Sequence, residues 1–175
     1  MDRSTLERPG VGYTLLALIL LAAGAAAALI LAGRFALGGM ATAVCAGLVI
    51  VSGRRGKYTG ERRIAFADSA AERAADAVIL GAVAWATIEE EPVAALGALA
   101  ALVLGYLAQY IRAKATGLGF SVDESLIART FRVALIVLGL AWRPALGAAL
   151  WLASAVSLFS ATRESVEVAR QREPG

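Results

Sequence analysis

Long apolar runs alternate with short polar segments along the whole of this sequence. The runs cover residues 13–33, 35–51, 64–87, 93–110, 126–142 and 145–161. An α-helix needs about 20 mainly apolar residues, and no fewer than about 17, to cross a hydrocarbon core of roughly 30 Å. The pattern therefore predicts an all-α membrane bundle of six transmembrane helices over residues 13–161. A polar N-terminal segment (1–12) precedes it, and a charged tail (162–175) follows, for which we expect a frayed amphipathic helix.

The basic residues give this bundle an orientation. If the N-terminus is cytoplasmic, the cytoplasmic segments hold 14 of the 17 basic residues, all except Arg34, Arg73 and Arg143. The loop after the third run contains three consecutive glutamates at 89–91 and no basic residue. Because cytoplasmic loops are enriched in Lys and Arg, six spans with both termini cytoplasmic are predicted.

Composition narrows the functional classes. The chain is 59% hydrophobic, above the roughly 45 to 50% of soluble domains, and its charge of +3 comes without interleaved aromatic and basic residues. We therefore expect membrane lipids rather than nucleic acid as its surroundings. The sequence has no histidine and only one cysteine, Cys45, which excludes imidazole chemistry and an intramolecular disulfide. Any acid–base chemistry must come from carboxylates.

Three acids interrupt the third apolar run at intervals of four residues. Asp68, Glu72 and Asp76 fall within a strip roughly 80° wide on one helix face. Near the middle of a bilayer each ionised group costs about 2.5 to 3.5 kcal/mol, so such acids indicate a functional, water-accessible site. The alternative is a helix end at the membrane surface, where Arg73 and Asp76 neutralise each other. Both interpretations remain open at this point.

The third run and the segments after it resemble the CDP-alcohol phosphatidyltransferases, membrane enzymes that move a phosphatidyl group from a CDP-lipid to an alcohol. Their signature is Asp-x2-Asp-Gly-x2-Ala-Arg, a short loop, and then Gly-x3-Asp-x3-Asp. Asp68 matches the first acid of the second half, and Glu72 stands for the second. The similarity continues in the basic segments 110–115 and 128–132.

The first half of the signature is degraded in this sequence. Val49 and Ser52 stand where the family has its first two aspartates, and Gly56 and Lys57 replace the alanine and the arginine. Gly53 alone is kept. Valine offers no metal ligand and serine only a neutral hydroxyl, so a two-metal site is not expected.

The resemblance implies a role for each matching residue. Asp68 and Glu72 would bind Mg²⁺ or Mn²⁺ if the protein is active, and Glu72 would be the general base. Gly53 and Lys57 would belong to the part of the signature that binds the CDP-lipid. The phosphate of a phosphorylated polyol acceptor would be bound by four basic residues, namely Arg112, Lys114, Arg129 and Arg132.

Structural roles are the alternative for the acids and for the four basic residues. The acids can be ion-pair partners of the basic loop that contains Lys57, Arg62 and Arg63, and the four basic residues can be contacts for anionic lipid headgroups. Two functions follow: a working or weak transferase of phospholipid synthesis, or a non-catalytic lipid-binding or scaffolding partner of an active relative. We expect a homodimer or a heterodimer with such a relative in a bacterial-type inner membrane.

Gly97, Ala101 and Gly105, spaced by four, predict a close packing face, within the chain or in a dimer.

Overall fold

The computed structural model describes the backbone of residues 9–59, 62–122 and 126–171, and the side chains of residues 13–53, 63, 66–122 and 128–171. These residues form six α-helices and a short 3₁₀ turn, Arg143–Ala145, and contain no β-strand. The helices are α1 (Pro9–Leu31), α2 (Phe35–Thr59), α3 (Arg62–Thr87), α4 (Pro92–Gly117), α5 (Leu126–Ala141) and α6 (Leu146–Arg170).

Each of the six apolar runs coincides with one helix, so the all-α prediction is confirmed. Three helices extend well beyond their apolar runs: α2 continues to Thr59, α4 to Gly117 and α6 to Arg170. Residues 162–170 of the predicted tail are thus a continuous part of α6.

Among the described residues, four helical segments are long and apolar enough to cross a membrane, which makes the chain a multi-pass membrane protein. These are Tyr13–Leu31, Phe35–Gly53, Pro92–Gly117 and Arg143–Arg170. The other two helices differ for separate reasons. Helix α3 carries charged residues through its first half, and α5 has only 16 residues, or about 24 Å of rise.

The chain divides into two compact units, Met1–Ala86 and Thr87–Gly175. In the first unit, α1 packs on α2 through small residues, and Ala23 and Ala26 are at most 1% exposed. Gly33 makes the turn between these helices with a φ of 74°, which residues with a Cβ rarely adopt. The amide of the next residue, Arg34, donates to the Leu29 carbonyl at 2.8 Å and closes the end of α1.

In the second unit, α4 packs on α6 through the small-residue face predicted from the sequence. A Cβ on Gly97 would lie 3.1 Å from the Leu150 Cβ, so the two backbones approach closely. The Ser154 hydroxyl lies 3.2 Å from the Gly97 carbonyl oxygen, and the Trp151 indole N–H donates to the Val93 carbonyl at 3.1 Å. This face therefore packs within the chain.

Many large apolar side chains lie on the outside of the described helices, whereas most of the buried hydrophobic residues are alanines. Trp85 is 78% exposed, Phe66 77% and Phe159 69%. In water such surfaces would be unfavourable, but in a bilayer they face lipid, and small residues let the helices approach one another. The distribution agrees with a membrane environment.

Candidate functional site

The acids of α3 lie along the edge of its buried stripe. Ala71, Ala75 and Ile79, also spaced by four, are buried. Asp68, Glu72 and Asp76 are each half-buried. A strip of carboxylates thus borders the packed face of α3, as the four-residue spacing predicts for a helix.

Helix α2 brings a hydroxyl to the first of these acids. Ser52 is 2% exposed, and its hydroxyl donates a hydrogen bond to the Asp68 Oδ1 atom at 2.6 Å. Val49 lies one turn earlier on α2 and is half-buried. Ser52, which is predicted to replace a signature aspartate, therefore faces Asp68, which is predicted to match a retained one.

The second carboxylate oxygen of Asp68 has no hydrogen-bond donor among the described residues. Its Oδ2 atom is buried and accepts no hydrogen bond from the described residues. Such an atom usually has a partner, because leaving a buried acceptor unsatisfied costs about 1 to 3 kcal/mol. A cation or a water molecule fits the chemistry of this oxygen.

The acids present fit one cation better than two. Within the described part of the chain, no three carboxylate or thiolate groups are close enough to hold a metal ion. Mg²⁺ and Mn²⁺ prefer several oxygen ligands, and Mg²⁺ retains waters where the protein offers only one or two carboxylates. Asp68, with Glu72 one turn further on, would be the residues that hold a single ion. On α2, Val49 and Ser52 supply no carboxylate for a second.

The remaining predicted residues of this part of the chain are Gly53, Lys57, Arg62 and Arg63. Gly53 is exposed on α2, and nothing lies within 4 Å of the position that a Cβ would take. Lys57 is in the same helix, but its side chain and that of Arg62 lie outside the described residues. Arg63, the third candidate ion-pair partner of the acids, is exposed.

The four predicted phosphate-binding residues lie on α4 and α5 and differ in their surroundings. Lys114 is exposed, and Arg112 and Arg129 are half-buried. Arg132 is only 8% exposed, and its guanidinium fills the space that Gly105 leaves by having no Cβ. A lipid headgroup contact suits an exposed lysine, but it does not explain a buried arginine seated against another helix.

Arg112 has a partner that sequence analysis missed. Its Nη2 atom forms an ion pair with the Oε1 atom of Glu164 on α6, whose side chain is only 5% exposed. The signal for it was the buried stripe of α6, in which Ala153, Ser157 and Ala161 are spaced by four. Continued by one helical turn beyond the apolar run, this stripe reaches Glu164.

The end of α6 is also tied to the loop after α4. The Gln171 side chain accepts a hydrogen bond from the Ser121 amide at 3.1 Å and donates one to the Ser121 carbonyl at 2.6 Å. Together with the Arg112–Glu164 pair, these bonds make residues 162–171 part of the second unit. In this unit, one guanidinium group can bind two phosphate oxygens at the same time. A carboxylate can accept hydrogen bonds from hydroxyl groups.

Comparison with solved structures finds the same fold in phosphatidylinositol phosphate synthase of Mycobacterium tuberculosis. Its structure with CDP-DAG bound has a TM-score of 0.79 and 21% identity, over 94% of this chain and 92% of that one. The complex with manganese and citrate has a TM-score of 0.78 and 21% identity, over 89% and 81%. The apo form has a TM-score of 0.76 and 21% identity, over 89% and 87%.

The fold resemblance to the CDP-alcohol phosphatidyltransferases, to which this synthase belongs, is thereby confirmed. No protein-family model matches the sequence. No curated protein sequence matches it either. At 21% identity the structural likeness establishes the fold alone, and the activity has to be argued from the residues.

Proposed function

We propose that this chain is a phosphatidyltransferase-like membrane protein of phospholipid synthesis, with a degraded donor site that makes it weakly catalytic or non-catalytic. Its ligands would be a CDP-lipid and a phosphorylated polyol. Its setting would be a bacterial-type inner membrane, with six spans and both termini cytoplasmic. The shared fold, the acids of α3 and the arginines of α4 and α5 support this assignment.

The observation that carries the proposal is the hydrogen bond from Ser52 to Asp68. The resemblance implies that carboxylates from both halves of the signature hold divalent metals, which offset the charge of the donor diphosphate. In this chain the opposing side chains are a neutral hydroxyl and a valine. The Ser52 hydroxyl also donates a hydrogen bond to one of the two carboxylate oxygens of Asp68, so that oxygen is less available as a metal ligand.

The expected loss of rate is large. Removing one preorganised electrostatic group from an active site typically costs about 2.7 to 4 kcal/mol, or roughly 10² to 10³ in rate. Two missing carboxylates, at Val49 and Ser52, would therefore make turnover very slow even with Glu72 available as the general base. The acids that remain, Asp68 and Glu72, would hold at most one Mg²⁺ or Mn²⁺ ion.

The test is metal-dependent CMP release by the protein purified in lipid. The unmutated chain and the Val49→Asp/Ser52→Asp double variant are supplied with a CDP-lipid, Mg²⁺ or Mn²⁺, and a panel of free and phosphorylated alcohols. We expect release only from the double variant, and we expect Asp68→Asn to abolish it. Robust release by the unmutated chain, lost in Asp68→Asn, would show that the acids of α3 suffice for turnover.

A non-catalytic role as the partner of an active relative is favoured by the same two substitutions. If the double variant is also inactive but the unmutated chain binds CDP-lipid, the lipid-binding or scaffolding function is supported. Co-purification after co-expression with an active phosphatidyltransferase then distinguishes a heterodimer from a homodimer. This second proposal fails if the chain binds neither the lipid nor the relative.

A further inference from the structure

The pair formed by Arg112 and Glu164 lies among the residues that we assign to the acceptor phosphate. Arg112 is on α4 and Glu164 on α6, and only 5% of the Glu164 side chain is exposed. Its Oε1 atom binds the guanidinium, whereas its Oε2 atom is buried and accepts no hydrogen bond from the described residues. The carboxylate thus has one oxygen in use and one available.

We propose that Glu164 recognises the hydroxyl groups of the acceptor, and that the Arg112–Glu164 pair opens around a ligand bearing both phosphate and hydroxyls. This inference rests on the proposed function, because it takes the ligand of Arg112 to be a phosphorylated polyol. It adds a specificity-determining residue on α6, outside the basic segments 110–115 and 128–132.

Each half of the Arg112–Glu164 pair loses its partner when a phosphate enters. A phosphate that binds the Arg112 guanidinium competes with the Glu164 carboxylate for the same N–H donors. A ligand with phosphate alone would leave a buried carboxylate stripped of its counter-charge, which is strongly unfavourable. A polyol phosphate offsets part of this cost, since its hydroxyls can donate to the carboxylate oxygens while its phosphate binds the guanidinium.

The location of the pair permits this exchange. The Arg112 side chain is 19% exposed and the Glu164 side chain 5%, so a ligand that approaches from solvent meets Arg112 first. Glu164 is held in register by its helix, whose Ala161 and Ser157 are buried one and two turns earlier, respectively. Gln171 pins the end of the same helix to the backbone of Ser121. The carboxylate therefore stays in place when the arginine moves.

The experiment compares glycerol phosphate with propyl phosphate, which has the same carbon chain without free hydroxyls. Both are titrated calorimetrically into the full chain in lipid nanodiscs. We expect glycerol phosphate to bind at least about tenfold more tightly, the discrimination typical of hydrogen bonds to a charged group. In Glu164→Gln we expect tighter binding of propyl phosphate and a preference of no more than about threefold. Glu167→Gln, on the same helix, is the matched control and should keep the preference.

Several outcomes would overturn the proposal. Equal binding of the two ligands by the unmutated chain does so without any variant, so the test does not depend on the folding of Glu164→Gln. If Glu164→Gln keeps both Kd values, and with them the preference for glycerol phosphate over propyl phosphate, the Arg112–Glu164 pair has only a structural role. If that variant instead binds both ligands more tightly by the same factor, Glu164 is a competitor for Arg112 and not a hydroxyl acceptor. If neither ligand binds at millimolar concentration, the acceptor part of the proposed function fails, and this inference fails with it.

Discussion

Gly105 offers a way to displace Arg132 without replacing it. A Cβ built on Gly105 would overlap the Arg132 Nη1 atom and lie 3.4 Å from its Cζ atom. Normal contact needs about 3.5 Å, so the guanidinium of Gly105→Ala must move by about 1 Å. Because this group is the far end of a flexible side chain, most of the displacement should be local.

A shift of that size is enough to disrupt recognition of a phosphate. Charge-assisted N–H···O bonds are about 2.7 to 2.9 Å long, and each contributes roughly 1.5 to 3 kcal/mol. If Arg132 binds the acceptor phosphate, Gly105→Ala should raise the Kd for glycerol phosphate by about tenfold or more. Titration calorimetry measures this change, and Arg129→Ala serves as the reference for a lost phosphate ligand.

Gly139 on α5 provides the complementary variant. A Cβ there would lie 2.8 Å from the Ala149 Cβ and 3.3 Å from the Leu146 Cα on α6, atoms that move only with the helix. Overpacking of this kind costs about 1 to 3 kcal/mol. Gly139→Ala should therefore lower the thermal unfolding temperature and leave the Kd for glycerol phosphate unchanged. Gly24 is exposed and has nothing within 4 Å of the position that a Cβ would take, so it should tolerate alanine and serves as the control. An unaltered Kd in Gly105→Ala would refute the role of Arg132.

Two further predictions concern topology and the acidic helix. Single cysteines introduced into a Cys45→Ala background should be labelled from outside at 89–91 and from the cytoplasmic side at 54–63. The reason is the distribution of basic residues, which favours the cytoplasmic side. Labelling of segment 54–63 only from outside would refute the six-span model. Ser52→Ala should destabilise the protein by about 1 to 3 kcal/mol in thermal unfolding, since it removes the buried donor to Asp68. A stability equal to that of the unmutated chain would show that water replaces the hydroxyl at no cost.

The sequence alone determined the helices of this protein and the helix face that carries its acids. Apolar runs of about 20 residues are a local signal, and all six became helices with starts or ends close to those predicted. The four-residue spacing of Asp68, Glu72 and Asp76 placed them on one face because helix periodicity is also local. The prediction that Val49 and Ser52 replace two signature aspartates also required no coordinates, and it stays a prediction.

The tertiary structure decided which side chains meet. Ser52 and Asp68 are 16 residues apart, and Arg112 and Glu164 are 52 apart, so each pairing depends on how two helices turn their faces toward each other. Sequence periodicity identifies a face but does not say which partner covers it. For that reason the four basic residues looked equivalent in sequence, whereas the fold buries Arg132 against Gly105, leaves Lys114 exposed and pairs Arg112 with a carboxylate at the end of α6.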